Sequence, residues 1–225
     1  MCAVIGQLQV TTRIVVFGAT GKAGNAIVSQ ALERGWTVRT MVRDPAKLTI
    51  THQRLDSVRG HIGDPTAIRA ALAGQWAAVV SALGIYSKTP STELSEGTRR
   101  IAAEMRGAAI KRIVVVSSLG AGDSHGQGTF AVRMIQKYIL RETLRDKTRQ
   151  EEVLRGSNLD WTSLRPPQLT EDPRVRGDLV AWQGLAPANR KLTWKVSRAT
   201  LAKYVLDAVE KNLWVREAVN LSEPK

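Results

Sequence analysis

Gly18-Ala19-Thr20-Gly21-Lys22-Ala23-Gly24 follows the apolar run Arg13-Ile14-Val15-Val16-Phe17 and opens Asn25-Ala26-Ile27-Val28-Ser29-Gln30-Ala31-Leu32, which has helical spacing. A strand, a glycine turn and a helix are implied, in that order. Gly18 permits the tight exit from the strand, Gly21 lets the backbone approach a phosphate, and Gly24 lets the helix pack on the sheet. Thr20, Lys22 and Ala23 complete the turn and the first helical positions, where amide N–H groups and the helix dipole would hold a pyrophosphate.

Downstream, Gly35 stands at a helix C-cap position and Thr37-Val38-Arg39-Thr40-Met41-Val42 reads as a second strand, ending at Arg43. An acidic residue at this strand end takes the ribose hydroxyls of a cofactor without a 2′-phosphate, whereas a cation suits the extra phosphate. Arg43, with Lys47 one turn on, therefore argues for NADP(H). Asp44 has the form of an N-cap with Pro45 at the first helical position. A third strand is read over 57–62, then Gly63-Asp64-Pro65 and a helix over 66–72. Asp64 either caps that helix or reaches an adenine amino group, and both can hold. His61 reads as a strand side chain.

Ala77 to Ala82 is a fourth, buried-type strand, and Leu83-Gly84 places a small turn where a cofactor would pass. A helix from Leu94 and a fifth strand over 113–116, ending in Ser117-Ser118, come next. A sixth strand over 159–164 is stopped by Arg165-Pro166-Pro167. A helix near 198–211 and a strand over 218–221 complete the alternation. The pattern is that of a single Rossmann-fold α/β domain over 13–225, with a doubly wound, mostly parallel sheet and a small C-terminal substrate-side region; residues 1–12 are expected to be flexible. Ligands of such sheets lie outside the carboxyl ends of the strands, so Gly18, Arg43, Asp64, Leu83, Gly84 and Ser118 should converge on one crevice. Residues 119–130, with glycines at 120, 122, 126 and 128, read as a mobile flap or as a loose connector, and one long helix is expected over 130–155. Trp182 and Trp194 either shape a pocket or fill it.

The composition narrows the function classes. With 225 residues, 43% of them hydrophobic, the chain can bury one good core. The single cysteine, Cys2, excludes a disulfide framework and fits a reducing, cytoplasmic compartment. No run approaches the roughly 18 apolar residues of a membrane span, so no membrane partner is expected. His52, His61 and His125 lack any ligand spacing, which argues against a metal centre. The net charge of +13 is spread along the chain: residues 1–60 carry eight Lys or Arg against three acids, and residues 131–155 carry seven against four. No nucleic-acid-binding motif accompanies it, and the charge reads as a solvated surface that also attracts phosphorylated cofactors.

Phe17-Gly18-Ala19-Thr20-Gly21, Val42-Arg43-Asp44, Leu94-Ser95-Glu96-Gly97 and Pro166-Pro167 together resemble the atypical short-chain dehydrogenase/reductase group that includes the biliverdin reductase B type of flavin reductase and the NmrA-like proteins. The resemblance implies that Arg43 and Lys47 hold a 2′-phosphate, that Asp64 meets adenine and that Leu83 and Gly84 meet a ribose. It also implies that Ser118 and Pro166 border the nicotinamide, with Pro167 and Gln168 on the substrate side, where such enzymes can carry a histidine after the prolines. The Tyr-x-x-x-Lys pair of typical members is incomplete: Lys147 is present, but Thr143 stands where the general-acid tyrosine would be, and the spacing of Tyr138 does not suit. Ser118 and Lys147 are then the obvious polar helpers. The expectation is an NADPH-dependent reductase of a flavin or another small planar acceptor such as a quinone or tetrapyrrole. The alternatives are an NmrA-like redox sensor without catalysis and a reductase or isomerase of a specific metabolite carbonyl. The oligomeric state, monomer or dimer, is left open.

Overall fold

A computed structural model of the chain describes residues 11–225, so the segment 1–12 lies, apart from Thr11 and Thr12, outside the described residues, as does Cys2. The sheet has the order β3-β2-β1-β4-β5-β6-β10-β8. Its strands are β1 (Arg13–Phe17), β2 (Thr37–Val42), β3 (Leu55–Arg59), β4 (Ala78–Ser81), β5 (Arg112–Val116), β6 (Asp160–Arg165), β8 (Val180–Trp182) and β10 (Glu217–Ser222). All pairings are parallel except that of β10 with β8. A separate parallel pair joins β7 (Gln168–Thr170) to β9 (Lys195–Ser197). The doubly wound Rossmann fold expected from the sequence is therefore present.

The continuous apolar strands follow from burial on both faces. In β1, Ile14 and Val16 face the core under α1 (Lys22–Glu33) and α6 (Arg198–Glu210). Val15 and Phe17 face the opposite core, under α2 (Pro65–Leu72), α3 (Glu93–Gly107) and α5 (Arg141–Arg155). Because β2 lies on one side of β1 and β4 on the other, the winding reverses there and opens a crevice at the carboxyl ends of these strands.

Two local expectations are corrected and two open readings are narrowed. The third strand runs over 55–59, because at Gly60 the chain must pass against Ala67 and Met41, where a Cβ would collide; His61 consequently sits in a turn, its Nδ1 accepting from the Gly63 N–H. The long helix is two: α4 (Phe130–Tyr138) and α5 meet at Ile139-Leu140, where Leu140 leaves helical geometry and its N–H reaches back to the Ile135 carbonyl. Residues 119–130, read as a mobile flap or a loose connector, are packed at several points along 119–127. Leu119, Ala121 and Ser124 are buried, and Ser124 Oγ accepts from the Gly120 N–H and donates to the Ala121 carbonyl. Trp182 and Trp194 fill rather than shape: they meet edge to face at 5.9 Å, in a small core with Leu119 and Leu192.

Two polar devices fix α5. Asp146, on its buried face, caps α3, accepting from the backbone N–H groups of Leu94 and Ser95 and from Ser95 Oγ. Gly97, the next part of the same motif, leaves room for Ile62. One turn beyond Lys147, the fully buried Glu151 accepts from Ser163 Oγ and from Nε and Nη2 of Arg165, itself fully buried at the end of β6. Arg165 Nη1 donates to Asp123 at 2.6 Å, which ties in the 122–124 turn. Gly122, at φ +55°, is required there, since a Cβ would press on the guanidinium. Removing one partner of such a pair strands a buried charge. Glu151→Ala should therefore lower unfolding free energy by about 3–5 kcal/mol in urea melts, while Glu151→Ala/Arg165→Met should recover much of that loss.

Candidate functional site

The switch point between β1 and β4 holds a crevice of about 470 Å³, within the size range of cofactor sites. Gly18, Thr20, Gly21, Lys22 and Ala23 form its floor, Arg43 stands at the end of β2, and Leu83 and Gly84 follow β4. Gly18 has φ +86°, and a Cβ there would lie 2.7 Å from the Ala82 carbonyl oxygen, so the turn closes against the β4 exit only as glycine. Gly24 packs beneath, against the backbone of Gly18 and Ala19.

The N-terminus of α1 distinguishes the floor. Asp64, Thr129 and Ser197 cap α2, α4 and α6 with their own side chains, but α1 has no side-chain cap and no acidic residue in its first turn. Its first amides and positive dipole end are open to the crevice, with Lys22 and Arg43 beside them. Arg198, at the first position of α6, lines the same space. Cations, free amides and glycine access fit a dinucleotide diphosphate.

Other expected site residues lie elsewhere. Asp64 accepts from the Thr66 and Ala67 N–H groups as the α2 cap and does not line the crevice; Gly60, His61 and Ile62 take that wall. Asp44 accepts from the Ala46 N–H, capping the 45–47 turn as its sequence suggested, and Lys47 is exposed on that turn, off the crevice lining. Ser118, Lys147 and Pro166 gather at the ends of β5 and β6, beyond the crevice proper. There Lys147 Nζ donates to the Val116 carbonyl at 3.1 Å, and the Leu119 N–H donates to the Pro166 carbonyl. Ser118 Oγ donates to the Leu119 carbonyl at 3.3 Å. Pro167 and Gln168 lead from there into β7. Burial lowers the Lys147 ammonium to about 8, against the opposing pull of Glu151 and Asp146.

Thr143, one turn before Lys147, accepts from the Ser87 N–H at 3.1 Å and donates to the Ser87 carbonyl at 3.3 Å. The position at which the resemblance implies a tyrosine acid is thus occupied by a clasp on the segment after β4. Tyr138 is exposed on α4 and makes no hydrogen bond there among the described residues. Sequence reasoning missed Tyr86, half-exposed beside that clasp, and the ion triad of Glu171 with Lys22 (2.7 Å) and Arg198 (2.8 Å) at the crevice edge. The Lys22 hydrogen bond and the Arg198 charge hold Glu171 below the usual carboxylate range. No local signal marks Arg198, because only closure of the fold brings α6 beside the glycine turn.

Comparison with known proteins agrees with this geometry. A family model described as NAD(P)H-binding matches residues 18–212. An uncharacterised chloroplastic protein of Arabidopsis thaliana is 27% identical over 88% of this chain and 72% of its own length. A (4-alkanoyl-5-oxo-2,5-dihydrofuran-3-yl)methyl phosphate reductase of Streptomyces griseus is 28% identical over 68% of this chain, which spans 46% of that relative. Among solved structures, the anaerobilin reductase ChuY of Escherichia coli O157:H7 superposes with a TM-score of 0.76 at 24% identity, covering 95% of this chain and 98% of that one. A short-chain dehydrogenase/reductase of Veillonella parvula, crystallised with NADP, gives 0.76 at 20% identity, covering 95% of each. These likenesses extend to the whole fold, and the family match runs from the glycine turn through α6: the chain belongs to the NAD(P)H-binding family, and its fold is shared with solved structures that include a short-chain dehydrogenase/reductase.

Proposed function

We propose that the chain is an NADPH-dependent reductase that passes hydride to a flavin or a similar planar acceptor, a quinone or tetrapyrrole among them. The observation that carries the cofactor half is at the end of β2: Arg43 faces the crevice while its neighbour Asp44 is turned away as a cap. A cation without a competing carboxylate at that strand end suits a 2′-phosphate. The α1 amides with Lys22 and Arg198 would take the diphosphate, and Leu83 and Gly84 a ribose. Ser118, Lys147 and Pro166 would border the nicotinamide, with Pro167 and Gln168 toward the acceptor. The bound nicotinamide supplies the hydride.

The acceptor half rests on Thr143. Its hydroxyl is committed to Ser87, so the reading requires an acceptor that takes its proton from water and needs no protein acid. Tyr86, exposed beside the clasp, offers a ring face to a planar molecule. Two of the similar proteins, from Streptomyces griseus and Escherichia coli, carry reductase names, which supports the reaction class. The single cysteine fits a cytoplasmic, reducing setting. The same missing acid also favours an NmrA-like sensor that binds NADP(H) without turnover.

Steady-state oxidation of NADPH with FMN, beside NADH and a no-acceptor control, separates the two. Acceptor-dependent turnover that prefers NADPH is expected, and tight NADPH binding with no consumption would favour the sensor. Arg43→Ala should weaken NADPH binding about 10- to 100-fold, the worth of a lost charge-assisted contact, and leave NADH within about twofold. Equal losses would remove Arg43 from the 2′-phosphate. Glu171→Gln should tighten NADPH binding about three- to tenfold in titration calorimetry, because the carboxylate competes with phosphate for Lys22 and Arg198.

Lys147 gives a pH signature. Its ordinary value of 10.5 falls to about 8 in the folded chain, so between these values the unfolded chain binds one proton more and stability rises with pH. Below about 8 both states are protonated and the contribution is constant. Lys147→Met should flatten the change in urea midpoint between about pH 7.5 and pH 9.5 relative to the unmodified chain.

A further inference from the structure

The exposed side of α4 carries more large apolar residues than its inward side, which holds Val132 and Gln136. Phe130, Met134 and Tyr138 recur every four residues and are 71%, 39% and 66% exposed, and Ile135 and Ile139 beside them are 44% and 54% exposed. The helix turns Gln136 inward instead, its Nε2 donating to the Leu119 and Gln127 carbonyls. A surface helix that served only to cover the core would show the reverse arrangement.

Cations border this stripe. Arg133 and Lys137 are exposed on α4 itself, and Arg141 and Arg145 follow at the start of α5. Lys137, Arg141, Arg145 and His125 line a groove of about 390 Å³, and no acidic side chain is among its lining. Glu142 pairs with Arg145 at 2.7 Å and lies 3.9 Å from Arg141, which leaves the group with an excess of positive charge. Arg141 and Arg145 sit two residues either side of Thr143, so helical geometry places them on the face of α5 away from Thr143 and Lys147. The groove is therefore separate from the cofactor crevice.

We propose that α4 and this groove dock the protein on an anionic membrane surface, with the apolar stripe entering the headgroup boundary and the cations meeting lipid phosphates. A stripe of large apolar side chains beside Lys and Arg is what such a surface binds, and each cation near it adds to the attraction. A second copy of the chain satisfies the stripe but not the charge: each copy carries +13, and pairing across a two-fold axis would bring the same cations together. A nucleic acid satisfies the charge but leaves the stripe in water. No helix among the described residues is long and apolar enough to cross a membrane, and this mode of binding needs none. The expectation of no membrane partner rested on the lack of a span. Docking is independent of the acceptor assignment.

The test is co-sedimentation of the full chain with phosphatidylcholine vesicles, with and without phosphatidylglycerol, at low and high salt. Binding only to the phosphatidylglycerol vesicles, weakened by salt, is expected. Phe130→Ser/Met134→Ser should reduce partitioning on the order of tenfold, and Lys137→Gln/Arg141→Gln/Arg145→Gln on the order of a hundredfold. Both variants should bind NADPH as the unmodified chain does, which reports that they fold. Failure to bind the anionic vesicles, or binding unaffected by the charge variant, would overturn the proposal. Light scattering that finds a dimer which Phe130→Ser/Met134→Ser splits would assign the stripe to a second copy instead.

Discussion

The Arg165 guanidinium is the contact that joins β6, α5 and the 122–124 turn. It is fully buried at the end of β6 and holds Glu151 of α5 on one side and Asp123 of the 122–124 turn on the other. Those three elements carry or flank Pro166, Lys147 and Ser118. The ions are costly to bury, and what they supply is a fixed register between strand, helix and turn.

At the other end the organising constraint is the absence of side chains. Gly18 and Gly24 let α1 press its first turn against the exit of β1, with no cap of its own to fill the space. The structure thus builds its two halves by opposite means: empty positions at the glycine turn, and filled, charged ones at the ends of β5 and β6. The Glu171 triad with Lys22 and Arg198 lies at the edge of the empty half.

Much of this was legible in the sequence wherever the cause was local. Phe17-Gly18 through Leu32 declared strand, turn and helix through apolar period and glycine spacing, and Asp44-Pro45 and Asp64-Pro65 declared caps. Features set by distant partners were not legible. The break at Ile139-Leu140 has no glycine or proline to announce it, and Asp146 caps a helix that begins 53 positions earlier, at Glu93. The glycines of 119–130 suggested looseness, yet Gly122 serves close packing against Arg165. In the site, Arg43 and the glycine turn were found because they follow strands directly. Arg198 and Glu171 were not, because nothing near them in the chain refers to the crevice.

The clasp between Thr143 and Ser87 ties the segment after β4 to α5 at the position where the sequence resemblance implies a proton donor. Anchoring and acid catalysis therefore compete for a single residue. A chain that has taken the first option cannot regain the second by one substitution, since a tyrosine at 143 would release the segment bearing Ile85 and Tyr86 while restoring the phenol. The cost of that anchor is one of hydrogens: the Thr143 hydroxyl has a single proton, and it is spent on the Ser87 carbonyl.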